Sequence, residues 1–491
     1  MKTNTLDFDA QALREKILDL AMRGKLVPQD PNDEPASVLL EKIKAEKEQL
    51  IKEKKIKKSK PLAPITDDER PFDIPDSWEW VRLGDTANYI QRGRSPKYDK
   101  ENKIYPIISQ KCVQWNSISL KDAKFVTKEF LNKLESYRFV KRNDILWNST
   151  GTGTVGRLNI VSDDFNKVPV DSHVTLIRTN SNINSKFIYY YLMSPIIQNN
   201  LNDYLTGTTK QKELGLSSIL KVNIPLPPLS EQSRIAAKIA QLFALLRKVE
   251  SSTQQYAKLQ TLLKSKVLDL AMRGKLVKQD PHDEPASVLL EKIKAEKEQL
   301  VKEGKIKKSK SLPPITDDEK PFDIPDSWEW VRLGDVLDVR DGTHDTPKYV
   351  SEGIALVTAK NLKDGKIDFS NIKYISEKDA QKINQRSNVE TDDILFAMIG
   401  TIGNPVLITK RNNFAIKNVA LLKHAKYVNM DFVCKYILAS ESFLLEYANG
   451  GNQKFISLNK IKKLGFPLPP LVEQQNIVSK INNIFTLLTS I

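Results

Sequence analysis

The chain states one passage twice, 250 residues apart. Residues 33–50, DEPASVLLEKIKAEKEQL, recur unchanged at 283–300, and residues 71–85, PFDIPDSWEWVRLGD, recur unchanged at 321–335. The stretches after the two copies, 86 to about 220 and 336 to about 462, share landmarks but few residues. A frame kept twice around unlike inserts predicts two different surfaces presented in one fixed geometry. The 491 residues therefore read as two large modules with connecting segments, not as the three domains that a prior of about 150 residues each would give.

The far end of each insert repeats as well, IPLPPLSEQ at 224–232 and FPLPPLVEQ at 466–474. A helical pattern comes after the first. Ile235, Ile239, Leu242, Leu246, Val249, Thr253, Tyr256, Leu263, Val267 and Leu270 keep 4-3 spacing, interrupted where Gln260 takes a seam position beside Leu259. Such a run predicts a coiled-coil seam, with Ser230 as N-cap and Gly274 as stop. The helix would be about 44 residues and roughly 66 Å long. Its second copy is divided. Ile477, Ile481, Ile484, Leu488 and Ile491 supply the first half, and Leu6, Ala10, Leu13, Ile17 and Leu20 the second, in unbroken heptad phase. The expectation is a circular pseudo-two-fold repeat in which the termini meet and the two long helices lie antiparallel.

Each long helix leads through Gly24-Lys25-Leu26-Val27 or Gly274-Lys275-Leu276-Val277 to a second helix, beginning near Ser37 or Ser287. That helix ends in a lysine-rich tail, KEKKIKKSK at 52–60 and KEGKIKKSK at 302–310. The tail reads as a solvated helix end, where lysine suits the helix dipole, with a phosphate-contacting arm as the competing reading. A Pro-rich stretch, 71–75 or 321–325, closes each linker. Trp78, Trp80, Trp328 and Trp330 recur with the frame and so belong to its core. The inserts mix β-branched and aromatic runs with Gly, Asn and Asp turns, which predicts compact α/β or α+β domains. The resulting division is 1–70 (N-terminal helical), 71–229 (first insert domain), 230–320 (central helical), 321–471 (second insert domain) and 472–491 (C-terminal helix).

A formal net charge of +15 and a pI near 9.3 point to a polyanionic partner, because clustered Lys and Arg neutralise phosphates and release counterions. No apolar run approaches the 18 or more residues of a membrane span, and MKTNTLDFDA lacks the apolar core of a signal peptide, so a cytoplasmic protein without membrane contact is expected. Cys112 and Cys434 support neither a disulfide framework nor a cysteine zinc site.

Gly151-Thr152-Gly153-Thr154-Val155-Gly156 is a formal GxGxxG, but a dinucleotide fingerprint needs a helix to open at its last glycine. RLNIVSDD comes next instead, so the segment reads as a turn between strands, like Gly400-Thr401-Ile402-Gly403 in the second half. The four histidines, His173, His282, His344 and His424, do not recur between halves. With no P-loop, HExxH or amino-methyltransferase tetrapeptide either, the chain reads as a binding adaptor. The candidate contact residues lie in polar loops whose side chains can read base edges or hold phosphates. In the first insert they are Gln91, Arg92, Arg94, Ser95 and Lys97, then Asn148, Thr150, Thr152 and Arg157, then Thr208, Thr209 and Lys210. In the second they are Arg340, Thr343, His344, Thr346 and Lys348, then Lys360 and Asn361, then Asn452, Gln453 and Lys454.

The PDSWEWVRLGD opening, the DGTHDTPKY loop with GIALVTAKNLKDGKI after it, the DILFAMIGTIG turn and the GGNQKFISLNKIKKLGFPLPPLVEQ exit closely resemble the specificity subunit of type I restriction-modification systems. The resemblance covers essentially the whole chain. It implies two globular target recognition domains joined by long antiparallel coiled-coil helices, each domain reading half of a bipartite site on double-stranded DNA. It also implies docking of two modification subunits, methyltransferases that bring S-adenosylmethionine to methylate adenine. Restriction subunits would add ATP- and Mg-dependent translocation and cleavage. The chain itself would be non-enzymatic and carry no cofactor or metal. Its first insert departs from the family's Gly-Thr-Pro loop with Gly93-Arg94-Ser95-Pro96. A stand-alone DNA-binding regulator, a partner that is a fused restriction-methylation enzyme, and a nucleotide-using enzyme stay open as other readings.

Overall fold

Why the frame needs its repeated residues is visible in one helix. In the repeated sequence ASVLLEKIKAEKEQL the apolar positions Ala36, Leu39 and Ile43 fall on one stripe, and all three are buried, as an amphipathic helix against a core requires. The computed structural model describes residues 8–490, apart from Asp164, 208–211, Ser309, Thr401, 411–412 and 451–453. These form two compact units, Phe8–Ser252 and 253–490.

In the first unit, α1 (Ala10–Met22) starts at Asp9, whose carboxylate accepts the Ala12 N–H at 2.9 Å, satisfying an orphan donor of the first turn. α2 (Ala36–Lys52) comes next. β1 (Glu79–Arg82) opens the insert. Within it lie β2 (Ala87–Arg92), β3 (Ile145–Asn148), β4 (Leu158–Ile160), β5 (Val174–Thr179) and α3 (Ser185–Met193). β6 (Asn223–Leu226) closes it, paired antiparallel with β1 so that Trp80 faces Pro225. A proline is tolerated there because the ribbon has two strands, leaving each an edge that needs no donor. The insert's sheet runs β2-β5-β3-β4, antiparallel throughout. Central β3, ILWN, is buried at every position, matching its continuous apolar run.

α4 (Leu229–Met272) then runs through the end of this unit and into the next. Its first half lies antiparallel to α1 and the segment beyond it. Arg14 pairs with Glu250 at 2.5 Å, whereas Gln29 donates to Glu231 at 2.6 Å. Leu18, Ala21 and Met22 share a core with Ile235, Ile239 and Phe243. The predicted cap is not Ser230. The helix begins one residue earlier, the Pro228 carbonyl accepts the Gln232 N–H at 2.9 Å, and Ser230 Oγ is spent on Asp33. The predicted stop holds, with Gly274 at φ +66° just past the end. The heptad seam is buried unevenly. Ile235 and Ile239 are inside, but Val249, Tyr256 and Leu263 are 44%, 40% and 48% exposed.

The second unit repeats the frame with α5 (Ala286–Lys302) and β7 (Glu329–Arg332). Its insert holds β8 (Val339–Asp341), β9 (Ile354–Thr358), α6 (Glu377–Ser387), β10 (Ile394–Ala397), β11 (Gly403–Leu407), β12 (Phe414–Lys417), β13 (Val419–Leu422) and α7 (Met430–Ala439). β14 (Gly465–Leu468) and α8 (Leu471–Ser490) close it. The main sheet has the same order, β8-β13-β10-β11. A second sheet is added, in which β9 pairs parallel with β12, in register Ala355 to Phe414. In the first insert this place holds an isolated parallel bridge, Ile108 to Val170. The second half of α4 and the segment beyond it run antiparallel to α8, with Gln260 bonded to the Leu488 carbonyl and Gln279, past the helix end, to Glu473 at 2.5 Å. Met1–Asp7 and Ile491 lie outside the described residues, and with them the predicted meeting of the termini.

The same buried contacts lock each frame. Trp78 Nε1 donates to Glu231 Oε2 at 2.9 Å and Trp328 Nε1 to Glu473 Oε2 at 2.8 Å. Arg82 reaches Glu69 and the Lys221 carbonyl; Arg332 reaches Glu319 and the Lys463 carbonyl. The tryptophans at 78 and 328 are core, each 3% exposed.

Candidate nucleic-acid interface

In an antiparallel sheet, alternate strand ends and their loops gather at one edge, and both inserts use the same one. In the first unit this is the end where β2 and β3 finish and β5 begins. Gly93 donates to the Val174 carbonyl at 3.1 Å and Ser149 to the His173 carbonyl at 2.9 Å. Gly93 has no alternative. A Cβ there would lie 1.9 Å from the Val170 carbonyl oxygen and 2.2 Å from that of Asp171. Gly342 stands at the matching position, where a Cβ would meet the Ile416 oxygen at 2.3 Å.

These contacts bring the predicted residues of the first insert together. Arg92 is bonded to Glu213 and, at 2.6 Å, to the Leu214 carbonyl. Arg94 meets Glu135 at 3.1 Å and Lys97 meets Glu129 at 3.4 Å, while Gln91 and Ser95 are exposed. Thr150 Oγ1 is 2.6 Å from His173 Nδ1, and Thr152 is exposed at the turn. Arg157 is a brace: it donates to Gln114 Oε1 at 3.0 Å and to the Gly153 carbonyl at 2.7 Å. Asn148 is inside, donating to the Gln110 carbonyl at 2.9 Å. Asp171 lies buried beneath this edge, and burial pushes its carboxyl up while the His173 N–H, at 2.9 Å, pulls the other way. Thr208, Thr209 and Lys210 lie outside the described residues.

At the equivalent end of the second unit, Thr343 donates to the Ile416 carbonyl at 3.0 Å, and Asn418 to the Thr343 carbonyl at 3.1 Å. His344 sits between Asp341 Oδ2 and Asn418 Oδ1, 2.9 Å from each. Arg386, on α6, reaches the other oxygen of Asp341, a buried carboxylate. Thr346 bonds Lys417, Arg340 pairs with Asp338 at 2.7 Å, and Lys348 is exposed. Lys454 donates to the Leu445 carbonyl at 3.1 Å, and its own carbonyl takes the Gly400 N–H. Lys360 is exposed, but Asn361 is buried as a turn cap, accepting from Thr358 N at 2.9 Å and donating to the Asp368 carbonyl at 3.1 Å. Asn452 and Gln453 lie outside the described residues. Sequence reasoning missed Arg386 and the carboxylates Glu135, Glu213 and Asp341 that orient the arginines, because their partners lie 41 to 121 residues away.

The Gly151–Gly156 segment is the predicted turn, joining β3 to β4. Glu390, Asp393 and His424 bring ligand-capable atoms within 4.8 Å of one another. Lys423 Nζ already sits 2.6 Å from Glu390 and 2.7 Å from Asp393, which makes the group an ion-pair cluster. No helix of the described residues is long and apolar enough to cross a membrane.

A duplicated frame that holds two unlike loop sets at the same sheet edge defines a tandem two-domain architecture. The family model of the type I restriction modification DNA specificity domain matches residues 75–260 and 325–491. The chain is 33% identical to the type I restriction enzyme EcoAI specificity subunit of Escherichia coli, over 97% of this chain and 89% of that one. It is 32% identical to the EcoEI specificity subunit of the same organism, with the same coverage. In fold it is similar to the HsdS subunit of Thermoanaerobacter tengcongensis, with a TM-score of 0.51 and 18% identity over 86% of this chain and 92% of the other. A chain from a structure of the assembly and conformational transition of a type I system gives a TM-score of 0.57 at 19% identity, over 86% and 93%. The chain belongs to the specificity subunits of type I restriction-modification systems, the non-catalytic components that carry DNA specificity.

Proposed function

We propose that this chain reads an asymmetric bipartite site on double-stranded DNA, one half-site per recognition domain, and docks two methyltransferase subunits, through which restriction subunits join. The observation that carries this is the sheet edge. Identical frames hold Gly93 and Gly342 against their sheets in the same way, while the loops around them differ in charge, length and side chain. Unlike loops on like frames suit unlike half-sites, and like frames suit two copies of one partner. S-adenosylmethionine would then be held by the methyltransferase subunits, ATP and Mg by the restriction subunits, and all would work in the cytoplasm.

Exchanging residues 86–220 for the corresponding insert of another specificity subunit tests the division of labour. Mapping of methylated bases should then show one half of the motif changed and the other kept. A change in both halves, or in neither, defeats the reading. The stoichiometry is tested by the mass of the co-purified complex, which should contain two methyltransferase chains per copy of this one.

A further inference from the structure

Trp115 stands apart from the other tryptophans. Trp78, Trp147 and Trp328 are buried and Trp80 and Trp330 half-buried, but Trp115 is 46% exposed. It occupies the tip of a tight hairpin in the first insert. Val113 bridges Ile118, and Gln114 N donates to the Ser117 carbonyl at 3.0 Å, leaving Trp115 and Asn116 as the two turn residues. Val113 and Cys112 are fully buried beneath it.

The hairpin is braced against the candidate interface. Gln114 receives Arg157 Nη1 on its side chain at 3.0 Å and Asn159 Nδ2 on its carbonyl at 2.8 Å, and its own Nε2 donates to the Lys111 carbonyl at 2.8 Å. The other arm of Arg157 holds Gly153, in the β3–β4 turn. The hairpin that carries the indole is therefore held, through Gln114 and Arg157, to the β3–β4 turn that also carries Thr152, a support that has little freedom left to lose on contact. A large apolar ring kept in solvent on a rigid tip, next to polar loops at a DNA-facing edge, has the form of the wedges that proteins press between base steps.

Resting on the reading of the inserts as DNA-recognition domains, we propose that Trp115 is a DNA-contacting wedge of the first recognition domain, its indole set against a base step of that half-site. The second domain has the same hairpin with another tip. Leu362 pairs with Ile367 across Asp364 and Gly365, both at positive φ. This turn carries no aromatic ring, and Lys363 and Lys366 flank its Asp364, so it can meet phosphate but offers no wedge, and distortion by a ring is confined to the half-site read by the first domain.

The test uses the full chain with its co-purified methyltransferase subunits and a labelled duplex carrying the mapped motif, with 2-aminopurine placed along each half-site in turn. Trp115→Ala should weaken binding about tenfold or more, as loss of an aromatic–base contact does, and Trp115→Phe should restore most of it. Fluorescence of 2-aminopurine should rise on binding in the first half-site and lose that rise in Trp115→Ala. An unchanged melting temperature in both variants shows that the fold is kept. Binding within twofold of the parent, with the 2-aminopurine signal intact, overturns the proposal while the motif still tracks the exchanged insert. A motif that ignores insert exchange defeats the underlying reading instead.

Discussion

Trp78 Nε1 and Glu231 Oε2 are 2.9 Å apart, tying the opening of the first insert to the first turn of the 44-residue helix that leaves its far end. Gln29 supplies a second donor to the same buried carboxylate. The whole triad recurs as Trp328, Glu473 and Gln279. Trp78→Phe should cost about 1–3 kcal/mol, the penalty of leaving a buried acceptor short of a donor. Trp328→Phe should cost a similar amount, and the double variant should show the sum, because the two sites share no partner. Urea unfolding checks both figures; a double variant no weaker than either single one would refute independence.

Two carboxylates of the frame should show opposite pH behaviour. Arg332 and Thr316 hold Glu319 down at about 2, so its contribution is present above the ordinary glutamate range and fades as pH falls toward 2. The stability difference between the parent and Glu319→Gln should therefore be full near neutrality and close in acid. Burial raises Glu231, so its ionised form is disfavoured in the folded state. Relative to the parent, Glu231→Gln should gain stability as pH rises out of the ordinary glutamate range. Denaturation across pH 2–8 separates the two signs.

Gly93→Ala and Gly342→Ala should each destabilise by about 2 kcal/mol or more, since a methyl group is driven onto backbone oxygens that cannot step aside. The loss should appear in the melting temperature. Binding should also fall, because the loop beyond each glycine is lifted off the sheet edge.

Lys348→Ala probes the opposite kind of contact, an exposed cation on the interface loop of the second unit. Binding should weaken evenly across DNA sequences, and the slope of log affinity against log salt should become shallower by about one. The methylated motif should stay the same. A changed motif would make Lys348 a base reader instead.

The frame was legible because its signals are local or repeated. Ala36, Leu39 and Ile43 declare a helix by spacing alone, and recurrence marked Trp78, Trp80, Trp328 and Trp330 as core, which holds for Trp78 and Trp328 whereas Trp80 and Trp330 are half-buried. The turn at Gly151 was legible from the strand-like residues on either side of it. Ser230 misled because capping propensity cannot see Asp33, which takes its hydroxyl from 197 residues away. The heptad count likewise could not distinguish Ile239, covered by α1 and the insert, from Val249, partly in solvent. At the candidate interface three of the residues named from the sequence have inward or bracing contacts that only the fold shows. Asn148 and Asn361 look like readers of adenine, yet each faces inward to fasten a neighbouring carbonyl. Arg157 looks like a phosphate clamp and serves as a brace.

The two-stranded ribbon formed by β1 and β6 has a consequence for how such a protein diversifies. Both ends of the first insert leave from adjacent backbone positions, where Leu83 N meets the Val222 carbonyl at 2.8 Å; the second insert leaves from Leu333 and Leu464, at 2.9 Å. Each insert thus leaves and re-enters its frame at one pair of adjacent strands, a socket built the same way in both units, while length and topology differ between the inserts, as the extra sheet of the second shows. Under the proposed division of one half-site per insert, two such sockets would let specificities combine as a product rather than a sum.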